Sequence, residues 1–331
     1  MRHELHPFRL VDGPRMTAGV WAVVTTFRPT EDAERAVRSV LDQVDGVIVV
    51  DDGSGAGAAT ALDRLRALGA RVEEQPENLG IAAALNRGIE AAAAGGAERV
   101  VTFDQDSEVP AGFVAALCAV DDRARARGIR VGAVVPEHFA RVRQAVGGFE
   151  DGIADAANVI QSGMLLRTDL LTGIGPMRAD FFIDLVDTEF ELRLRRHGYR
   201  ILAAEGLALG HALGRKYRRE LFGRPMNVPG IPPEVTLSTP FRYFYRVRNR
   251  IVLNREYFFV APRQILRDSI LDGIHFVNAL MLARPRRDLW RLYRAGITAA
   301  IRGRMGRMPA PLAPVAQRIR WDAEEIDEQD L

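Results

Sequence analysis

The stretch VWAVVTTFRPTEDAERAVRSVLDQVDGVIVVDDGS, residues 20–54, decides the fold. It opens at 20–26 on a β-branched apolar run without polar alternation, which predicts a strand covered on both faces. Pro29 and Thr30 then introduce a helix, since Ala33, Ala36, Val37, Val40 and Leu41 recur at the spacing of one helical face. A second apolar run at 47–50 ends in Asp51, Asp52, Gly53 and Ser54. Strand, loop, helix and strand in this order predict an α/β protein built on a mostly parallel sheet.

The rhythm continues on the C-terminal side. Ala61, Leu62, Leu65 and Leu68 form a helical stripe with Gly69 as its stop, and a third strand is expected at 71–74. Pro76 to Gly80 then lead into a helix carrying Ile81, Leu85 and Ile89. A fourth strand at 99–103 runs into Asp104, Gln105, Asp106 and Ser107. Further strands are expected at 132–136 and 201–204, with antiparallel strands among the Gly turns of 146–167. A helix carrying Phe190 and Leu194 should start with Thr188 and Glu191 as its capping box, and Gly198 should end it. Glu189–Arg193 and Glu191–Arg195 stand at ion-pair spacing, and His197 reads as a cap on the negative end of that helix.

The loops at 25–28, 51–54 and 104–107 each follow the C-terminal end of a strand, the edge where open α/β sheets bind ligands. Asp104 and Asp106 stand two apart in extended chain, so both carboxylates can face one side. Two hard oxygen ligands suit Mg2+ or Mn2+, ions that keep waters and take ligand phosphates. A DxD pair alone is a common loop feature; a second acidic loop at Asp51 and Asp52 on the same edge makes the pair a candidate site.

At 331 residues the chain can bury a full core, and 47% hydrophobic with 27% charged residues excludes a disordered or fibrous chain. The single cysteine, Cys118, excludes a disulfide framework and a Cys-cluster zinc site, and its apolar helical surroundings predict a core position. No apolar run is long enough to span a bilayer, and residues 1–19 read as a polar leader without the apolar segment of a secretory signal. A cytoplasmic protein, free or at the inner face of the plasma membrane, is expected. No phosphate-binding GxxxxGK[ST] loop and no internal repeat are present.

Seven pieces of sequence, taken in order, carry a resemblance. They are AVVTTFRP (22–29), VVDDGS (49–54), ENLGIAAALNRG (77–88), FDQDS (103–107), QSGMLLR (161–167), FFIDLVDTEFELRLRRHGYRI (181–201) and GHALG (210–214). Together they resemble the inverting family-2 glycosyltransferases of the GT-A fold, and within them the rhamnosyltransferases. The resemblance implies a catalytic domain over 20–214, with a nucleotide-sugar half (20–130) and an acceptor half (131–214). It implies that Thr25 and Phe27 line the nucleotide pocket and that Asp52, with Asp51, accepts the base imide N–H. Asn78 and Gly80 are implied donor contacts, and Asp104 is implied near the ribose. Asp106 becomes the main metal ligand, with Asp104 and His211 as further contacts to Mn2+ or Mg2+. Asp187 matches the general base. The family acid before it is Val186 here, which makes Asp184 the candidate to supply the missing acidity. Ser162 and Gly163 are expected on the acceptor side.

Charge divides the chain. Residues 212–320 hold 22 Arg plus Lys against 6 Asp plus Glu, a net of +16, leaving the remainder at −14. A basic helical region is expected at 215–310 and an acidic tail at 311–331. At 241–257 aromatics and arginines interleave; Phe241, Tyr245, Ile251 and Leu253 should weight one side, with Arg242, Arg246, Arg248 and Arg250 on the others. This pattern fits packing onto the catalytic domain and contact, through 241–307, with a lipid-linked acceptor or an anionic membrane. No nucleic-acid reading module is visible, so no nucleic-acid partner is expected.

The expected activity is metal-assisted single displacement from a nucleotide-diphospho-sugar, dTDP-L-rhamnose first and a UDP-hexose second, onto a cell-surface glycan or lipid-linked acceptor. A nucleotidyltransferase would need a Gly-rich basic signature in the first strand–helix loop, which 25–28 lacks. A non-catalytic sugar- or lipid-binding scaffold would be marked by loss of Asp106 or Asp187, and both are present.

Overall fold

A computed structural model describes residues 19–210, 216–218, 220–221, 224–225, 234–322 and 325–326. The chain divides into two compact units, one holding residues up to 179 with 186–212, the other 180–185 with 213–331.

The first unit is a mixed sheet covered by helices. Its strands are β1 (Val20–Thr26), β2 (Gly46–Asp51), β3 (Arg71–Glu74), β4 (Arg99–Asp104), β5 (Val131–Phe139), β6 (Val142–Arg143), β7 (Ala145–Glu150), β8 (Ile153–Ala156), β9 (Met164–Arg167) and β10 (Arg200–Leu209). They lie in the order β3-β2-β1-β4-β9-β5-β10-β8-β7, with β6 paired to β5. The β3-β2-β1-β4 portion is parallel, as is β10 on β5, while β9 runs antiparallel between β4 and β5. Because β2 and β4 flank β1, the strand order reverses there and opens a crevice at the C-terminal edge.

The helices are α1 (Glu31–Leu41), α2 (Ala59–Ala67), α3 (Ile81–Ala94), α4 (Phe113–Ala126), α5 (Thr168–Ile174) and α6 (Val186–Arg196). Helix α1 starts where its sequence predicts, with the Thr30 hydroxyl accepting the Asp32 N–H. It buries Ala33, Ala36, Val37 and Val40. Gly69 and Gly198 take positive φ just past α2 and α6, as helix-stopping glycines do. Cys118 is fully buried in α4, and desolvation pushes its thiol up to about 11.

Two local expectations are corrected. Helix α6 begins at Val186, so Thr188 lies inside its first turn and no Thr188–Glu191 capping box forms. Glu191 is instead buried, accepting the Val159 N–H at 3.0 Å and pairing with Arg195. Glu189 pairs with Arg193 as its spacing predicts. The second correction concerns 241–257.

In the second unit that segment is α7 (Arg242–Tyr257), followed by α8 (Pro262–Leu282), α9 (Arg286–Ile301) and α10 (Ala313–Arg318). Tyr243, Phe244, Tyr245 and Val247 join Leu282, Leu289 and Leu292 in the core. Arg248 and Arg250, expected on outward faces, are buried too. The reason is hydrogen bonding. Arg248 donates to the carbonyls of Asp180, Phe181 and Gly306, and Arg250 donates to Asp272 at 2.7 Å. A buried guanidinium is tolerable only with such partners.

Residues 180–185, expected within the catalytic domain, belong to this unit. Phe182, Asp184 and Leu185 hold left-handed backbone at φ 68°, 65° and 63°, a conformation costing about 1 kcal/mol or more per non-glycine residue. Asn249 sustains it by donating to the carbonyls of Phe181, Ile183 and Asp184, and Phe182 stacks on Tyr245 at 4.9 Å.

Candidate active site

Register assembles the site. On β1, Thr25 pairs with Asp104 of β4 and Thr26 with Asp51 of β2, so three strands end level with one another. Side chains then tie the three loops together. The Phe27 N–H donates to the Gln105 side-chain carbonyl at 3.0 Å, and the Arg28 N–H donates to the Ser54 hydroxyl at 2.6 Å. The Phe27 ring stays 39% exposed at the edge, with the Arg28 guanidinium over its face.

The two acids of the first acidic loop do different jobs. Asp51 is buried and accepts from the N–H and hydroxyl of Ser54, which shapes its own turn. Asp52 reaches across to the next loop. Its carboxylate accepts from Gln75 at 3.1 Å, from the Leu79 N–H at 2.7 Å and from the Gly80 N–H at 2.9 Å. An acid there also neutralises the positive end of α3, whose N-cap is Gly80. Gly53 makes the approach possible: a Cβ on it would lie 2.1 Å from the Glu77 carbonyl carbon, and its φ is +70°. Beside this junction the Asn78 side-chain oxygen is buried without a protein donor.

The second acidic loop is held from below. Ser162 is fully buried; its hydroxyl accepts the Asp104 N–H at 3.1 Å and meets the Ser107 hydroxyl at 2.7 Å. The Gln161 amide donates to Asp104 Oδ1. Ser162 therefore supports the Asp104–Ser107 turn. Gly163 is constrained in the same way, at φ +81° with Leu209 and Phe113 at 3.0 and 3.2 Å from where a Cβ would stand. Asp106 is exposed at the tip of the turn.

Asp187 lies in the first turn of α6, with its Oδ1 accepting the Thr188 N–H at 2.8 Å. One turn further along the same face, Glu191 grips the Val159 N–H, and two residues beyond Val159 is Gln161, the partner of Asp104. The strap 157–163 thus joins the helix of Asp187 to the loop of Asp104 and Asp106. Asp184 lies in the second unit, where Arg242 grips its carboxylate through both Nε, at 3.1 Å, and Nη2, at 2.7 Å.

No group of three His, Cys, Asp or Glu side chains poised for a metal is found among the described residues, and His211 lies outside them. Asp104 and Asp106 nevertheless fit Mg2+ or Mn2+ in kind: hard oxygens at an exposed edge, for an ion that completes its shell with water and phosphate oxygens. Sequence reasoning did not single out Gln105, Gln161, Gln75 or Ser54. Each acts through a partner far away in sequence, and a polar side chain in a loop carries no mark of that partner.

Residues 21–136 match the family model of glycosyl transferase family 2. The chain is 26% identical over 309 residues to the dTDP-rhamnosyl transferase RfbF of Shigella flexneri, covering 88% of this chain and 98% of that protein. The crystal structure of GalNAc-T7 with UDP, GalNAc and Mn2+ superposes with a TM-score of 0.52 at 17% identity, over 74% of this chain and about half of that one, 50%. S. aureus TarS in complex with UDP-GlcNAc gives a TM-score of 0.44 at 14% identity, over 86% and 92% of the two chains. Residues 21–136 thus resemble glycosyl transferase family 2, the sheet is of the GT-A type, and the chain is a glycosyltransferase.

Proposed function

We propose that this chain transfers L-rhamnose from dTDP-L-rhamnose onto a cell-surface glycan or lipid-linked acceptor, inverting the anomeric carbon in one displacement. The likeness to a dTDP-rhamnosyl transferase over nearly its whole length supports the sugar. One observation supports the chemistry: the register that brings Thr25, Asp51 and Asp104 level at the reversal point of the sheet.

In this reading the nucleotide lies against Thr25, Phe27 and the loop that Asp52 holds, with the bare Asn78 oxygen accepting a donor N–H or O–H. Asp51 and Gly80 keep that pocket in shape, and Gly163 and Ser162 keep the Asp104 turn in shape. Asp106 and Asp104, with His211, would hold Mg2+ or Mn2+, which when bound supplies positive charge against the diphosphate. Asp187 takes the proton of the acceptor hydroxyl. The freed oxygen attacks the anomeric carbon from the face opposite the diphosphate, and the bond to the diphosphate breaks as the new bond forms. Asp184 is not assigned to this step, because its carboxylate is committed to Arg242.

Calorimetric titration with dTDP-L-rhamnose, UDP-glucose, UDP-galactose and GDP-mannose, with and without Mn2+, tests the reading. Metal-dependent binding of dTDP-L-rhamnose that disappears in Asp106→Ala is the expected result. Tighter binding of a UDP-sugar overturns the rhamnose assignment, and no binding by any donor overturns the transfer reading.

A further inference from the structure

Helix α8 buries Ile265, Ala279 and Leu282 but also turns carboxylates inward, while it leaves a full aliphatic row outside. At helical spacing, Leu266, Ile270, Ile274 and Val277 fall on one face, and each is 54 to 59% exposed. The opposite face carries polar groups into the protein. Asp268 and Asp272 are only 9% and 4% exposed. Asp272 accepts from Arg246 at 2.6 Å and from Arg250 at 2.7 Å, Ser269 accepts from Asn254, and His275 meets the Tyr243 hydroxyl at 3.1 Å. A helix in water does the reverse, since exposing four aliphatic side chains in one row forgoes the burial that drives folding.

Further large apolar side chains are exposed in the same unit. Phe258 and Phe259 lie in the turn between α7 and α8, and Phe259 is 93% exposed. On α9, Trp290, Ile297 and Ile301 are exposed at positions that also fall on one face, with Arg294 among them. No helix among the described residues is long and apolar enough to cross a membrane.

We infer that the outer face of α8 is a membrane-docking surface that lies in the interface of an anionic bilayer, with Phe258 and Phe259 at its leading end. Charge selects this occupant. The stripe sits in a region, 212–331, that holds 22 Arg plus Lys against 12 Asp plus Glu, a net of +10 that anionic headgroups attract and that a second copy of the same face would repel. Apolar area and basic charge acting together are what hold a helix in the headgroup region. The inference is independent of which donor the enzyme uses, so its failure and the failure of the rhamnosyl reading are read separately.

Cosedimentation of the full chain with phosphatidylcholine vesicles, and with vesicles containing 30% phosphatidylglycerol (about a third anionic, as a cytoplasmic leaflet can be), tests it. The wild type should pellet with the anionic vesicles and release in high salt. The double variant Ile270→Ser/Ile274→Ser should bind at least about tenfold more weakly while donor binding by calorimetry is unchanged. Equal binding by wild type and variant would mean charge alone is at work and would overturn the assignment of the face. A chain that ignores both vesicles, or one that dimerises in sedimentation equilibrium until the same two substitutions make it monomeric, overturns the membrane as occupant.

Discussion

Helices α1 and α8 are both amphipathic, and they point opposite ways. Helix α1 turns Ala33, Ala36, Val37 and Val40 into the sheet and leaves Arg35 and Arg38 in water. Helix α8 turns Asp268 and Asp272 inward and leaves Leu266, Ile270, Ile274 and Val277 outside. The difference lies in what each helix packs against. The first meets an apolar sheet. The second meets α7, which buries Arg250 and half-buries Arg246 at the contact, so its neighbour must bring a carboxylate, Asp272. Periodicity reports that a helix has two faces; the neighbour decides which of them goes inside.

The largest effect should come from breaking that charge match. Asp272→Ala leaves two guanidinium groups without their shared carboxylate, and loss of one partner in a buried ion cluster costs about 3–5 kcal/mol. Urea unfolding followed by circular dichroism checks this, and a cost under about 1 kcal/mol would mean the inward face of α8 is not held by charge. Next comes a matched pair of substitutions. Val37→Ser in α1 should destabilise by about 2–4 kcal/mol through a cavity and a buried hydroxyl. Ile270→Ser in α8 should change stability by less than about 0.5 kcal/mol. Equal costs in the same unfolding assay would erase the contrast between the two helices.

Alkaline pH probes the apolar side of the comparison. The Cys118 thiol is raised from its ordinary 9.0 to about 11 by burial, so the unfolded chain loses this proton first. Stability attached to it is complete below pH 9 and falls by about 2 kcal/mol as pH rises toward 11. Cys118→Ala should remove that portion of the slope in pH-dependent melting. The smallest effect is expected at the solvated face of α1. Arg35→Ala removes an exposed i,i+3 pair with Asp32 and should stay within about 0.5 kcal/mol, measured by the same denaturation.

Much of the first unit was legible. The apolar runs of β1, β2 and β4, the cap at Thr30 and the stops at Gly69 and Gly198 are local signals, and local sterics or backbone hydrogen bonding enforce them. The three polar loops could be placed at one edge because parallel strands deliver their C-terminal ends together. The division of labour between Asp51 and Asp52 was not legible. It depends on which loop each carboxylate meets, and Gly53 sets that by admitting the Glu77 backbone. Ser162 shows the same limit, since only burial reveals that its hydroxyl lies beneath the Asp104 turn.

By itself, then, the sequence determined the alternation of strands and helices, the acids at the sheet edge and the basic character of the C-terminal third, all of which depend on neighbours a few residues apart. Only the tertiary structure decided that 180–185 folds with the second unit, that Arg248 and Arg250 go inside, and that α8 shows its aliphatic face outward. Those outcomes rest on partners such as Arg242 and Asp184, 58 residues apart. The cost of burying a charge depends on whether its counter-charge or carbonyl arrives with it, and no local pattern contains that information.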